Sequence, residues 1–312
     1  MLTNIFILAC SLMLIIKGAN LGTKYAARLA EGFHLSKYTV GFIIVAVISI
    51  LPETFVAISS AIEKIPSFGL GTLFGSNIAD LTLVFAIILY LAGRGLKVEG
   101  KILKNRKIYP LILLLPLILG LDGFYSRIDG MTLIIVGVVF YYIAIKDGIK
   151  NDTRIKGEHH LKNFLMLLLG MALLLVGSHF VVTSASSLAF KIGIDPILIG
   201  MFVVGIGTTI PELFFAIKSI KRNDDSLAIG DILGTVLADA TIVVGILALV
   251  SPFNFSLTII FVTGFFMVIA SLLLYYLMFT GRTLARKEAY LLFLFWLLFV
   301  FIEFIVSKFF RS

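Results

Sequence analysis

Apolar residues run along the chain in ten stretches, near residues 4–22, 39–62, 68–92, 109–121, 130–149, 161–183, 196–217, 226–250, 256–279 and 288–307. A helix needs roughly 20 mostly apolar residues to cross the hydrocarbon core of a bilayer, so the pattern predicts ten membrane helices. The fourth stretch is the shortest and carries Pro110 and Pro116. No basic residue precedes the first stretch, which is expected to be a retained helix rather than a cleaved signal peptide.

Charges between the stretches set an orientation, because Lys and Arg concentrate in cytoplasmic loops. Twenty of the 26 Lys and Arg residues fall in alternate loops, and five in the others. The split predicts a cell-membrane protein with its N-terminus outside and its central hydrophilic loop, 146–162, in the cytoplasm. Composition agrees: 60% of the 312 residues are hydrophobic and only 14% charged, with a mean hydropathy of +1.09. The net charge of +8 then follows from topology, and no nucleic-acid partner is expected. One cysteine, Cys10, excludes an intramolecular disulfide framework and a cysteine-based metal cluster.

A displacement of 159 residues lays Gly41–Thr82 on Gly200–Thr241 without a gap, with 14 of 42 positions identical. The identities include Pro52/Pro211, Glu53/Glu212, Gly71/Gly230, Gly75/Gly234, Asp80/Asp239 and Thr82/Thr241. Shared hydrophobicity alone would match Leu, Ile and Val, not Pro, Glu and Asp. Five spans in each half force the second copy to enter the membrane from the opposite face. The expected architecture is therefore all-α integral membrane: ten transmembrane helices as two inverted five-helix repeats, residues 1–155 and 156–312, with broken helices at the midplane. Such an arrangement points to a secondary transporter whose site lies between the copies.

Pro52 and Pro211 interrupt the second and seventh spans, each directly before a glutamate. A mid-helix proline removes a backbone donor and crowds the carbonyl four residues back. Carbonyl oxygens near 46–48 and 205–207 are therefore expected to be free. The third and eighth spans add Ser76 with Asp80 and Thr235 with Asp239, i,i+4 pairs that share a helix face. Gly71, Gly75, Gly230 and Gly234 make small faces that bring backbones close and would gather the four carboxylates. Asp231 reads more readily as a solvated acid near its helix end, and Asn77 as either a helix contact or part of the site. Each Asp costs about 2.5–3.5 kcal/mol at the centre of a membrane helix, and no Lys or Arg lies in the repeated helix cores to offset it. Cations or protons must do so. An all-oxygen donor set without Cys or His suits a hard ion, and Ca2+ accepts irregular shells of about six to eight oxygens.

These paired segments, LPE and IPE each followed by G-x-x-x-G-[ST]-x-x-x-D, resemble the two alpha repeats of the calcium/cation antiporter superfamily, which includes the sodium/calcium exchangers. GTTIPEL in the second half is similar to the family's G-T-S-L-P-E-L. The first half departs from it, with Ile48, Ser49 and Ile50 where the family has Gly-Thr-Ser, and Ile50 offers no side-chain ligand. Family members often carry Asn where this chain has Asp80 and Asp231. The resemblance implies alternating-access exchange of Ca2+ for Na+ or H+, with no enzymatic activity and no cofactor. It implies Glu53 and Glu212 as shared central ligands, Ser49 and Thr208 completing the calcium site, and Ser76, Asp80, Thr209, Thr235 and Asp239 at counter-ion sites. It also implies that the first and sixth spans slide past a bundle that holds the site.

Two rivals remain: an intramembrane aspartyl protease and a passive cation channel. The protease motif G-x-G-D is broken by Ala228, and Glu53 and Glu212 would have no task in it. A channel filter needs a ring of equivalent ligands, which two inverted copies do not make. GLKVEGK at 95–101 has phosphate-loop spacing, but Ile102 stands where Ser or Thr is required. His34, His159, His160 and His179 lie in loops or near span ends, and the Phe and Leu runs of the last two spans are expected to face lipid. The expected partners are inorganic cations and the lipid bilayer. Because both repeats lie in one chain, a monomer suffices.

Overall fold

A computed structural model describes residues 2–30, 42, 45–98, 108–148, 160–281 and 283–310. Most of the central hydrophilic segment (149–159), His34, His159 and most of residues 39–44 lie outside the described residues. The helices are α1 (Leu2–Ala30), α2 (Ala46–Ile62), α3 (Pro66–Ala92), α4 (Ile108–Leu119), α5 (Arg127–Gly148), α6 (His160–Ile192), α7 (Pro196–Lys221), α8 (Asp225–Val250), α9 (Ile259–Thr280) and α10 (Arg286–Phe310). Among the described residues, seven of these are long and apolar enough to cross a membrane, while the apolar helices at 2–18, 46–62 and 108–119 are shorter. Each predicted stretch contains helix. The protein is a multi-pass membrane protein.

Hydropathy misjudged some ends because helices continue wherever their backbone groups stay bonded. α6 runs to Ile192, nine residues past the predicted end at 183, and Thr183 and Ser184 remain in the helix by donating their hydroxyls to carbonyls one turn back. Pro66 and Pro196 open α3 and α7 at positions that need no backbone donor. Gly93, at φ 64°, ends α3 in the left-handed conformation that costs glycine least.

The turns α2–α3 and α7–α8 share one chemistry. Lys64 and Asn223 are the non-glycine residues with positive φ among the described residues, at 62° and 58°. At each, a backbone N–H reaches back five residues, Ile65 to Ser60 and Asp224 to Ser219, both at 2.9 Å. This is the Schellman closure of a helix end. Arg94, just past α3, grips the second turn: its guanidinium donates to both oxygens of Asp225, each at 2.7 Å, and to the carbonyl of Ile220.

Two antiparallel ladders join the connections. β1 (Leu96–Lys97) pairs with β4 (Thr283–Leu284), and β2 (Phe124–Tyr125) with β3 (Phe253–Asn254). α3 and α8 are the most enclosed spans, their apolar windows 89% and 83% buried, against 22% in α10 and 28% in α5. The helices with the repeated aspartates are therefore central, and α5 and α10 lie at the rim, where Phe301, Leu294 and Ile135 are exposed. α1 and α6 pack mainly on each other around a smaller apolar cluster containing Leu8, Ile15, Leu174 and Val181, distinct from the main core.

Glycine sets which helices touch across the core. A Cβ on Gly75 of α3 would stand 2.7 Å from the carbonyl oxygen of Met201 in α7, and one on Gly234 of α8 would run into the Phe42 carbonyl and stand 2.6 Å from Ala46 Cβ in α2. α3 thus packs on the start of α7, and α8 on the start of α2, each with the opposite half. Gly75→Ala and Gly234→Ala are expected to destabilise the protein by about 1–3 kcal/mol each, the usual cost of overpacking. Thermal unfolding in detergent measures this, and unchanged midpoints would show that the backbones do not meet there.

Candidate cation-binding site

α2 and α7 present the glutamates differently. In α2 the regular helix pauses at Ile50, two residues before Pro52, and resumes at Leu51–Ile62 with Glu53 in its first turn. In α7 a wide π turn at Gly200–Val204 precedes Gly205–Lys221, which accommodates Pro211 internally and carries Thr208, Thr209 and Glu212. The expected free carbonyls are only partly so. The Ala46 oxygen accepts from Ile50 N–H at 3.0 Å, and the Gly205 oxygen accepts the hydroxyls of Thr208 and Thr209 at 3.0 and 2.9 Å. These bonds narrow the range expected to be free toward Ile48 and Gly207, the carbonyls four residues before Pro52 and Pro211.

α3 and α8 each break into a wide turn at their aspartate, Asp80–Val84 and Asp239–Val243. Such π turns shift the helix register by a residue and recur at functional sites. Thr82 and Thr241 sit inside them and donate to the carbonyls of Ile78 and Leu237, four residues back. Tyr109 of α4 and Tyr141 of α5 donate to the carbonyls of Leu233 and Gly234 at 2.7 Å, supporting α8 just before its wide turn.

Ser49, Glu53, Ser76, Asp80, Thr208, Thr209, Glu212, Thr235 and Asp239 are all buried, none more than 5% exposed. Thr208 lies in hydrogen-bonding contact with the Glu53 carboxylate. Glu53 is within electrostatic reach of Asp80, Glu212 and Asp239, and Asp80 of Glu212 and Asp239. The carboxylates are neighbours, yet among the described residues no three acidic, His or Cys side chains close into a metal cage. The sequence expectation of four closely gathered acids is corrected to a looser cluster with buried hydroxyls among the acids.

Asp231 is the larger correction. It is fully buried in α8, not solvated at a helix end. Its Oδ1 accepts the Ser49 hydroxyl at 3.1 Å across the two halves, and it lies within electrostatic reach of Asp80 and Glu212. Asn77 is buried with its amide nitrogen 3.6 Å from the Met267 sulfur and its oxygen unpartnered. Glu303, in a helix whose Phe and Leu runs were expected to face lipid, is also fully buried and accepts the Thr263 hydroxyl. An acid inside a membrane span was the signal available for it, but it has no counterpart at the repeat offset. His179 contacts Glu63 at 3.2 Å, away from the acids.

Seven oxygens of Glu53, Asp80, Glu212, Asp231 and Asp239, together with the Thr235 hydroxyl, have no hydrogen-bond partner although buried. Buried ionised carboxylates cost several kcal/mol each unless paired, and unpaired polar groups are rare in native interiors. This donor chemistry, oxygen alone with surplus negative charge, fits hard cations.

The sequence pattern of a family described as sodium/calcium exchanger protein matches residues 3–146 and again 162–305. The two matches are displaced at both ends by the same 159 residues as the internal repeat. An uncharacterised membrane protein of Methanocaldococcus jannaschii is 28% identical over 231 residues, 73% of this chain and 76% of its own. The sodium/calcium exchanger MaX1 of Methanosarcina acetivorans is 24% identical over 351 aligned residues, covering 97% of this chain and 99% of its own. A structure of the sodium–calcium exchanger NCX_Mj, soaked with Na+ and Sr2+, superposes with a TM-score of 0.71 at 24% identity over 95% of this chain and 96% of that one, which establishes the fold. With both halves matched, a shared fold and a buried oxygen-donor cluster, the chain belongs to the sodium/calcium exchanger family and is a cation antiporter.

Proposed function

We propose that this antiporter exchanges Ca2+ for Na+ or H+ by alternating access, through ten transmembrane helices arranged as two inverted repeats, 1–155 and 156–312. The observation that carries the reading is the set of seven buried, unpartnered carboxylate oxygens. Inversion is supported by features that recur at the 159-residue offset. Besides the turns at Lys64 and Asn223, a Cβ on Gly18 would meet the Gly170 oxygen at 2.9 Å, and one on Gly177 the Ser11 oxygen at 3.1 Å. The ladders agree: β1 and β3 follow the equivalent spans α3 and α8, β2 and β4 follow α4 and α9, and pairing β1–β4 with β2–β3 is what exchange of the halves would generate.

In this reading Glu53 and Glu212 are ligands shared by all ions. Ser49 and Thr208 complete the calcium site, while Ser76, Asp80, Thr209, Thr235 and Asp239 serve the counter-ions. Na+ or protons neutralise the shared glutamates and so lower calcium affinity, which couples the two fluxes. The N-terminus lies outside and segment 146–162 in the cytoplasm, as the loop charges require. The unit is a monomer, since one chain supplies both copies. A protease leaves Glu53 and Glu212 without a role, and a channel leaves the inverted acids without a ring; family membership favours neither.

Glu53→Gln or Glu212→Gln is expected to weaken Ca2+ by on the order of 100-fold, about 2.8 kcal/mol, and to abolish radiolabelled Ca2+ uptake into proteoliposomes. Uptake unchanged in either variant refutes the ligand assignment. Ca2+ at about 100 times its dissociation constant is expected to add about 2.7 kcal/mol of stability. A thermal midpoint in detergent that does not fall on chelation would contradict Ca2+ binding.

A further inference from the structure

The two halves share a fold at the site but not a donor set. At the repeat offset, Ile50 of α2 stands where α7 has Thr209, and Thr72 of α3 stands where α8 has Asp231. One half lacks a hydroxyl and the other gains a carboxylate. The difference falls on one contact, because α8 packs on α2 while α3 packs on α7.

On the α3 side the hydroxyls are occupied. Thr72 donates to the Phe68 carbonyl and Ser76 to the Leu73 carbonyl, both at 3.0 Å. On the α8 side they are not. Asp231 gives Oδ1 to Ser49 and leaves Oδ2 buried with no partner, and one helical turn on, the buried Thr235 hydroxyl also has none. Residues four apart share a helix face, so Asp231 Oδ2, Thr235 Oγ1 and the Ser49 hydroxyl lie along one side of the α2–α8 contact. The contact itself offers one carboxylate and two hydroxyl oxygens, well short of the about six to eight oxygens that Ca2+ takes, which favours a monovalent cation.

We infer that Asp231, with Thr235 and Ser49, forms a Na+ subsite at the α2–α8 contact that the α3–α7 contact does not duplicate. The inference rests on the exchange reading and sharpens it: the contact between α2 and α8 carries a carboxylate, Asp231, where its counterpart between α3 and α7 has Thr72. Because Asp231 is within electrostatic reach of Asp80 and Glu212, a cation beside it also relieves repulsion among the central acids. Na+ here therefore acts on the whole cluster.

The test uses the full chain in proteoliposomes, with Na+-driven Ca2+ uptake and Na+-free Ca2+/Ca2+ self-exchange read side by side. Asp231→Asn is expected to raise the half-saturating Na+ concentration by roughly tenfold or more, the loss of one charge-assisted contact, while self-exchange persists. Should that variant fail to fold, Asp231→Thr, which installs the residue type of the repeat counterpart Thr72, is read in its place with the same expectation. Unchanged Na+ dependence overturns the subsite. So does loss of self-exchange in folded protein, which would put Asp231 on the Ca2+ path, and so does a rise confined to K+ in a parallel K+ series. If the unaltered chain shows no Ca2+ uptake under a Na+, K+ or pH gradient, the exchange reading itself fails, a result distinct from any of these.

Discussion

Five carboxyl groups buried inside a helix bundle, with seven oxygens lacking an internal partner, form the constraint on which the rest of the structure depends. A charge in low dielectric costs far more than packing can return unless an opposite charge is near. Several other buried polar groups bond within the chain: Thr82 and Thr241 cover the carbonyls of Ile78 and Leu237, Tyr109 and Tyr141 cover Leu233 and Gly234, and Thr263 meets Glu303. The acids carry most of the shortfall, which the Thr235 hydroxyl and the Asn77 oxygen share. A protein built to be most stable would have replaced them, so their deficit is best understood as the means of drawing cations out of water.

Placing those acids requires helices that approach more closely than side chains ordinarily allow. Gly75 and Gly234 let α3 and α8 lie against the backbones of α7 and α2, and the wide turns at Asp80 and Asp239 re-aim the residues that follow. Both devices weaken a helix on its own, through lost side-chain packing or lost hydrogen-bond regularity. They survive because α3 and α8 are the most enclosed spans, where neighbours on every side hold the irregular backbone in place.

The α1–α6 pair stands apart from this core. Its apolar cluster takes in Val56 of α2, Phe68 of α3 and Val204 of α7, and its polar links to α2 include a hydroxyl pair, Ser59 with Ser178 at 2.9 Å, and the His179–Glu63 contact. The backbones of α1 and α6 meet closely at Gly18 and Gly177.

Much of this was legible in the residue order. Long apolar stretches partition into lipid whatever their neighbours, so the membrane class and the ten helical segments could be read directly. The 159-residue repeat exposed Glu53, Glu212, Asp80 and Asp239, because a polar residue recurring at a fixed offset in apolar surroundings is not accidental. What hydropathy could not convey was the partner of each side chain. Only the tertiary structure placed Asp231 against Ser49, sent Glu303 inward instead of toward lipid, and showed hydroxyls already occupying carbonyls that prolines were expected to free. The physical reason is that partition into a membrane is a local property of a segment, whereas pairing depends on how closely and in what register two distant backbones meet, which glycines and wide turns decide together.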